Sequence, residues 1–228
     1  MADVLRVLYA EKTDDYFAHA RTEIIPLLPA GCAERVLEVG CGTGDTLAYL
    51  QQLGRCAWTC GVELFPDAGN AARERLDQVH IGNIEQIDLP IEPGSLDVIL
   101  CLDVFEHLID PWSTANRLAA LLRPGGSLIA SIPNVQHFRV AIPLLFGGKW
   151  EYADFGLMDR THLRFFTERS ARALLSGAGL RVDAVHRTGM ESRLKSVVSS
   201  MTFHAVDPLL TFQYLLRAVH DNLREELR

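Results

Sequence analysis

The sequence predicts an α/β fold, a parallel sheet with helices on both faces, and three observations predict it. Short apolar runs alternate along the chain with amphipathic stretches of helical period. The run Leu96 to Leu102, LDVILCL, is nearly all apolar, as a strand buried on both faces should be. The first strand leads into a glycine-rich turn, and in such sheets a ligand belongs at the carboxyl ends of the strands. The 228 residues suit one ordinary domain and are too few for two full-sized ones. Residues 1–228 are therefore read as a single domain. A chain this long buries about 70% of its unfolded surface and needs no disulfide or metal staple.

The elements follow in order. Arg35 to Val39 reads as the first strand, and Thr46 to Leu53 as a helix with Leu47, Leu50 and Leu53 on one face. Trp58 to Leu64 is a second strand. Pro66 to Val79 reads as a helix, with proline in its first turn. His80 to Gly82 makes a short third strand, and Leu96 to Leu102 the fourth. Pro111 to Leu122 is a helix that Arg123-Pro124-Gly125-Gly126 stops as a turn. Ser127 to Ile132 is a fifth strand. Thr167 to Ala178 is a helix with Gly179 in the stop position, and Leu180 to His186 is a sixth strand. Thr211 to Val219 satisfies both a strand and a helical period.

Composition narrows the function. Hydrophobic residues at 48% with charged residues at 22% describe a globular protein. A net charge of −7 argues against a general nucleic-acid binder, so no DNA partner is expected and RNA is disfavoured. No apolar run approaches the roughly 20 residues of a membrane span. The opening MADVLRVLYAEKTDDYF has acidic residues and no apolar core, so no signal peptide is read and a cytoplasmic location is expected. Cys32, Cys41, Cys56, Cys60 and Cys101 are an odd set without zinc-finger spacing, and read as buried reduced thiols.

The most informative segment is Glu38-Val39-Gly40-Cys41-Gly42-Thr43-Gly44. Its glycines let the backbone turn tightly and approach a ligand closely. The spacing E-x-G-x-G-x-G departs from the dinucleotide pattern G-x-G-x-x-G, because the third glycine would fall at Asp45 or Leu47. That disfavours a nicotinamide dehydrogenase. An acidic residue beside the loop repels a pyrophosphate and suits a cationic or amino-bearing ligand. The second strand ends at Glu63, before Leu64, and a carboxylate there can accept both hydroxyls of a ribose. In Gly82-Asn83-Ile84-Glu85, polar groups flank an isoleucine that can pack on a base.

The segments VLEVGCGTG, GVEL, GNIE, LDVILCLDVFEHL and LRPGGSLIASIPN resemble, in this order and spacing, the class I S-adenosylmethionine-dependent methyltransferases. The resemblance covers about Val36 to Val185. It implies a Rossmann-like, seven-stranded, mostly parallel sheet whose last strand is antiparallel and inserted beside strand six. On that ground Thr211 to Val219 is taken as a strand, with Arg187 to Leu209 a mostly helical connection and Asp221 to Arg228 a charged tail. The implied cofactor is S-adenosylmethionine. Glu38, Gly40, Cys41, Gly42, Thr43 and Gly44 would lie against its methionine part, and Glu63 and Leu64 at its ribose. Asn83, Ile84 and Glu85 would border the adenine, with Leu102 and Asp103 closing the other side.

Methyl transfer from an activated sulfonium needs positioning, worth about 7–11 kcal/mol, and a hydroxyl acceptor also needs a base. Asp103, Glu106 and His107 supply one, falling on one face if a helical turn starts after Leu102. The block resembles the E-x-x-E-H element of methyltransferases acting on quinone precursors and on the terminal ribose of small RNAs. Some of those use a divalent metal, and a downstream histidine completes the metal site in the small-RNA enzymes. Asp103, Glu106 and His107 could also ligate a divalent metal, with His162 as a fourth ligand, but aspartate at 103 shortens the reach, and no metal ligand is assigned. His162, in DRTHLRFFT, is the alternative base, unless Asp159 merely holds it in a core. Arg160 and Arg164 either pair with nearby carboxylates or meet an anionic substrate.

Residues 1–34 read as an N-terminal helical lid segment carrying Tyr16 and Phe17, in which Tyr16 is either a lid contact to the cofactor or ordinary packing. Residues 133–166 read as a substrate-side insertion with a Gly147-Gly148 hinge. Trp150, Tyr152 and Phe155 suit either a substrate wall or a satellite cluster. The whole suggests a methyltransferase acting on a small-molecule, sugar or glycan-intermediate acceptor, with a homodimer open. Its alternatives are a metal-assisted RNA ribose methyltransferase and a cofactor-binding protein without catalysis.

Overall fold

The computed structural model describes residues 20–190, 192, 197 and 199–221. The candidate lid contact Tyr16, its neighbour Phe17, and the tail beyond Asp221 lie outside the described residues. A 3-10 helix at Thr22–Leu27 precedes β1 (Ala33–Val39), α1 (Asp45–Gln52), β2 (Cys56–Glu63), α2 (Pro66–Ala72) and β3 (Gln78–Ile81). Then come β4 (Leu96–Leu102), a 3-10 turn at Phe105–His107, α3 (Pro111–Ala119), β5 (Leu122–Pro133) and α4 (Phe138–Gly147). The chain ends with α5 (Glu168–Gly177), β6 (Leu180–Thr188), α6 (Asp207–Leu210) and β7 (Gln213–His220).

The strands form one seven-stranded sheet in the order β3-β2-β1-β4-β5-β7-β6. All neighbours are parallel except the pairs made by β7, which is antiparallel to both β5 and β6. The expected Rossmann-like sheet with an inserted antiparallel last strand is therefore present. Side chains of β4 alternate between two apolar layers, as period two requires. Val98, Leu100 and Leu102 join Leu47 and Leu50 of α1 on one face. Ile99 and Cys101 join Leu118 of α3 and Leu174 of α5 on the other. Among the described residues no helix is long and apolar enough to cross a membrane.

Two local readings are corrected. The helix expected over Pro66 to Val79 stops at Ala72. Asp77 ends it, because its carboxylate accepts both the backbone N–H and the hydroxyl of Thr59 on β2, at 2.9 and 2.8 Å. That fastens the chain to the sheet edge before β3 begins. The segment Arg123 to Gly126 is not a free turn but part of a twelve-residue β5. Its pairing jumps from Leu96↔Leu122 to Val98↔Ser127, a bulge. Gly126 is required there, since a Cβ would stand 2.8 Å from the Leu96 carbonyl oxygen. The cysteines are all free thiols, and four are buried as expected, but Cys32 is exposed.

The insertion over residues 133–166 leaves and returns at one point. Asn134 bridges Phe166, and Val135 N–H donates to the Phe166 carbonyl at 2.9 Å. Within it α4 forms a helix that Gly148 ends in a left-handed conformation, so the Gly147-Gly148 pair is a helix stop.

Asp77→Ala removes the acceptor of two hydrogen bonds from Thr59, whose N–H is buried, and should cost about 1–3 kcal/mol. Urea unfolding measures it; an unchanged midpoint would remove Asp77 from the account of why α2 ends.

Candidate active site

Four loops meet at the carboxyl edge of the sheet and enclose a cavity of about 460 Å³. That is the size of a nucleoside-bearing small ligand's site. The loop after β1 supplies Gly40, Cys41 and Gly42, and the end of β2 supplies Glu63 and Leu64. The turn after β3 supplies Asn83, Ile84 and Glu85, and the end of β4 supplies Leu102 and Asp103. His107 lines the same cavity.

The glycine loop is shaped by backbone demand. Gly40, Gly42 and Gly44 all have positive φ, which a side chain would strain. Thr43 and Gly44 do not line the cavity: Thr43 bonds Asp45 through its hydroxyl, and Gly44 serves as the N-cap of α1.

Glu63 closes the loop onto the sheet. It is buried, and its Oε2 accepts Gly42 N–H at 2.8 Å while Oε1 accepts Phe65 N–H at 2.9 Å. Burial raises its pKa, and the backbone donors oppose that shift. Each oxygen keeps lone pairs for a ligand. Glu38, 3% exposed, is pushed up to about 8 by burial, against a hydrogen bond from Thr46. Its Oε2 accepts no hydrogen bond among the described residues. A buried orphan acceptor on a cavity wall fits a ligand bearing a cation or amino group.

Asn83 and Glu85 border the cavity but are already engaged. Glu85 N–H donates to Asn83 Oδ1 at 2.9 Å, and Asp110 N–H donates to Glu85 Oε1 at 2.7 Å. They shape the turn that presents Ile84.

Asp103 does not share a helical face with Glu106 and His107, as the sequence suggested. The helical turn starts at Phe105, and Asp103 sits at φ +56°. Its carboxylate turns away and meets Arg21 at 2.5 Å and Ser131 Oγ at 3.0 Å, with Gln213 as a third partner. Arg21 was missed because nothing in its local sequence marks it; it lies 82 positions from Asp103. Burial works against its charge, yet Asp103 and Glu23 more than offset that and raise its pKa.

His107 instead meets His162, with ring centroids 4.8 Å apart. The returning limb of the insertion docks on the 3-10 turn to do this: Leu163 and Arg164 donate backbone N–H groups to the Glu106 carbonyl at 2.8 and 3.0 Å. His107 Nδ1 lies 3.2 Å from the Thr161 carbonyl, and His162 Nδ1 lies 3.2 Å from the Leu157 carbonyl. A carbonyl only accepts, so each Nδ1 carries a hydrogen and each Nε2 is the basic nitrogen. The backbone N–H of His162 donates to the Asp159 carbonyl at 2.9 Å, and the Asp159 carboxylate accepts from Thr161. Glu106 is 1% exposed, and neither carboxyl oxygen has a hydrogen-bond partner among the described residues. Burial, and then the Asp103 charge, raise its pKa well above the usual range. Ligand atoms of Glu106, His107 and His162 lie within 4.8 Å of one another, close enough to hold one metal ion. Arg160 pairs with Asp154, while Arg164 bonds the Ile109 carbonyl and lies over Trp112.

Comparisons with known proteins agree with this geometry. A family model described as a methyltransferase domain matches residues 9–185. A ubiquinone biosynthesis O-methyltransferase of Xanthomonas axonopodis pv. citri is 33% identical over 166 residues, covering 70% of this chain and 66% of its own. One of that name from Albidiferax ferrireducens is 32% identical over 120 residues, covering 50% of this chain and 47% of its own. The chain thus spans about half the length of that curated relative. Among solved structures, a Haloferax volcanii complex of the Trm112 methyltransferase activator with a methyltransferase aligns with TM-score 0.67 at 18% identity, covering 95% of this chain and 97% of that one. Phosphoethanolamine N-methyltransferase 2 of Haemonchus contortus, in complex with S-adenosyl-L-methionine, aligns with TM-score 0.62 at 14% identity, covering 88% and 52%.

Glu63→Ala frees two backbone donors at the loop and should cost about 1–3 kcal/mol of stability. Faster amide exchange at Gly42 and Phe65 is the local sign; unchanged protection at both would refute the clamp.

Proposed function

Because the chain belongs to the class I S-adenosylmethionine-dependent methyltransferase family, we propose that it moves a methyl group to a hydroxyl oxygen of a small-molecule acceptor. Sugars and glycan intermediates fall within that acceptor class. One observation carries the reading: Glu38, Gly42 and Glu63 share a single cavity with His107. The two ubiquinone-pathway relatives, both named as O-methyltransferases, support oxygen as the acceptor atom.

When bound, the cofactor supplies a methyl group on a positively charged sulfur. Glu63 receives the ribose hydroxyls, while Ile84 and Leu102 wall the adenine. Arg21, Glu38 and Asp103 form the opposite pole, one guanidinium between carboxyl groups, matching a ligand end that carries both an ammonium and a carboxylate. At the acceptor, His107 Nε2 takes the hydroxyl proton as the oxygen–carbon bond forms. The sulfur–carbon bond breaks in line, and its electron pair stays on sulfur. The proton stays on the His107 imidazole, beside the buried Glu106 carboxyl group and the His162 ring.

Two predictions test this. Near neutrality Glu38, with its pKa near 8, holds a proton in the free protein. A cationic ligand favours the carboxylate and lowers that pKa in the complex. Binding should therefore release a proton and weaken as pH falls below about 8. Calorimetry in buffers of different ionisation heat reads this; a buffer-independent heat with pH-independent affinity refutes it. His107→Ala should lower turnover by about 10²–10⁴ with S-adenosylhomocysteine affinity intact, and wild-type turnover should survive a chelator. Full activity in that variant would move the base to His162, and loss on chelation would make the cluster a metal site.

A further inference from the structure

Gln213 opens β7, the antiparallel strand. Because β7 runs opposite to its neighbours, its first residue lies at the carboxyl edge of β5, in register with Pro133. From there Gln213 Nε2 donates to Asp103 Oδ1 and to Ser131 Oγ, the latter at 3.3 Å. Ser131 is fully buried and joins the whole set. Its hydroxyl donates to Asp103 Oδ1 at 3.0 Å and accepts Asp103 N–H at 3.0 Å and Arg21 Nη2 at 3.2 Å. The Ser131 carbonyl also faces Asp103 N–H, at 3.2 Å.

This arrangement answers a strain. Asp103 is a non-glycine residue at φ +56°, a conformation that persists only where the surroundings hold it. Without donors on Oδ1 the side chain would swing, and the Arg21 guanidinium on Oδ2 would move with it. We propose that Gln213 and Ser131 are positioning residues. They hold the Asp103–Arg21 pair in register to receive the amino-acid end of the cofactor, and so set where the methyl group points. The inference rests on the cofactor reading above. It adds that β7, the strand farthest in sequence from the glycine loop, determines how one end of the ligand is held. Among the described residues, Glu63 accepts hydrogen bonds from Gly42 and Phe65, apart from this set.

The test separates the two ends of the ligand. S-Adenosylhomocysteine carries the amino-acid end, and 5′-methylthioadenosine carries the same nucleoside and sulfur without it. Calorimetry with both probes is run on the unaltered protein, on Gln213→Met, which keeps side-chain volume, and on Ser131→Ala. Each variant should bind S-adenosylhomocysteine at least about fivefold more weakly, with the affinity for 5′-methylthioadenosine changed less than twofold. Equal weakening of both probes would mark general damage and overturn the assignment, as would unchanged affinity for S-adenosylhomocysteine. If Gln213→Met does not fold, Ser131→Ala decides by the same comparison. Binding of neither probe by the unaltered protein would sink the cofactor reading itself, and that result is distinct from selective loss in the variants.

Discussion

The hydrogen bond from Gly42 N–H to Glu63 Oε2 is the constraint on which the cleft depends. It joins the turn after one strand to the end of the next, and both are parts of the same ligand wall. A parallel sheet puts these two chain segments side by side at its carboxyl edge, as the β1–β2 pair Val39↔Val62 shows. Glycine at 42 lets the backbone take a positive φ and aim its N–H across the gap. The acceptor is a buried carboxyl group, and in its ionised form it holds the Gly42 N–H with charge-assisted strength that a neutral side chain would lack.

The same cleft gathers acidic groups that water would otherwise solvate. Glu38, Glu63 and Glu106 are all buried, and burial raises the proton affinity of each. They divide by their partners. Glu63 is satisfied by backbone donors, Glu38 leaves one oxygen facing the cavity, and Glu106 sits with two histidines. Glu38 and Glu63 line the cavity, while Glu106 is buried beside it, next to His107. Among the described residues Arg21 is the one arginine or lysine that lines the cavity, and it pairs with Asp103.

Legibility in the sequence followed the range of the interaction. LDVILCL marked β4 to the residue, because burial on both faces leaves no room for polar positions. The glycine loop and Glu63 were legible because the turn and the strand end are local features. The end of α2 was not, since Asp77 competes through Thr59, eighteen positions away. The bulge at Pro124 to Gly126 was misread for a related reason: proline and glycines signal a turn, yet here they serve a register jump within a strand.

The sequence by itself determined the alternation of elements, the apolar layers and the residue types around the cleft, because period and local backbone demand are written position by position. Only the tertiary structure decided which acid works with which base. Asp103 and His107 are four positions apart yet face different partners, since a left-handed residue ends β4 before the 3-10 turn begins. His107 met His162 only because the insertion closes on itself and docks on Glu106. Arg21 and Gln213 reached Asp103 from opposite ends of the chain, through a strand direction and a sheet order that no local pattern carries. Contacts of that length are fixed by packing the whole sheet, and packing is a property of all the residues at once.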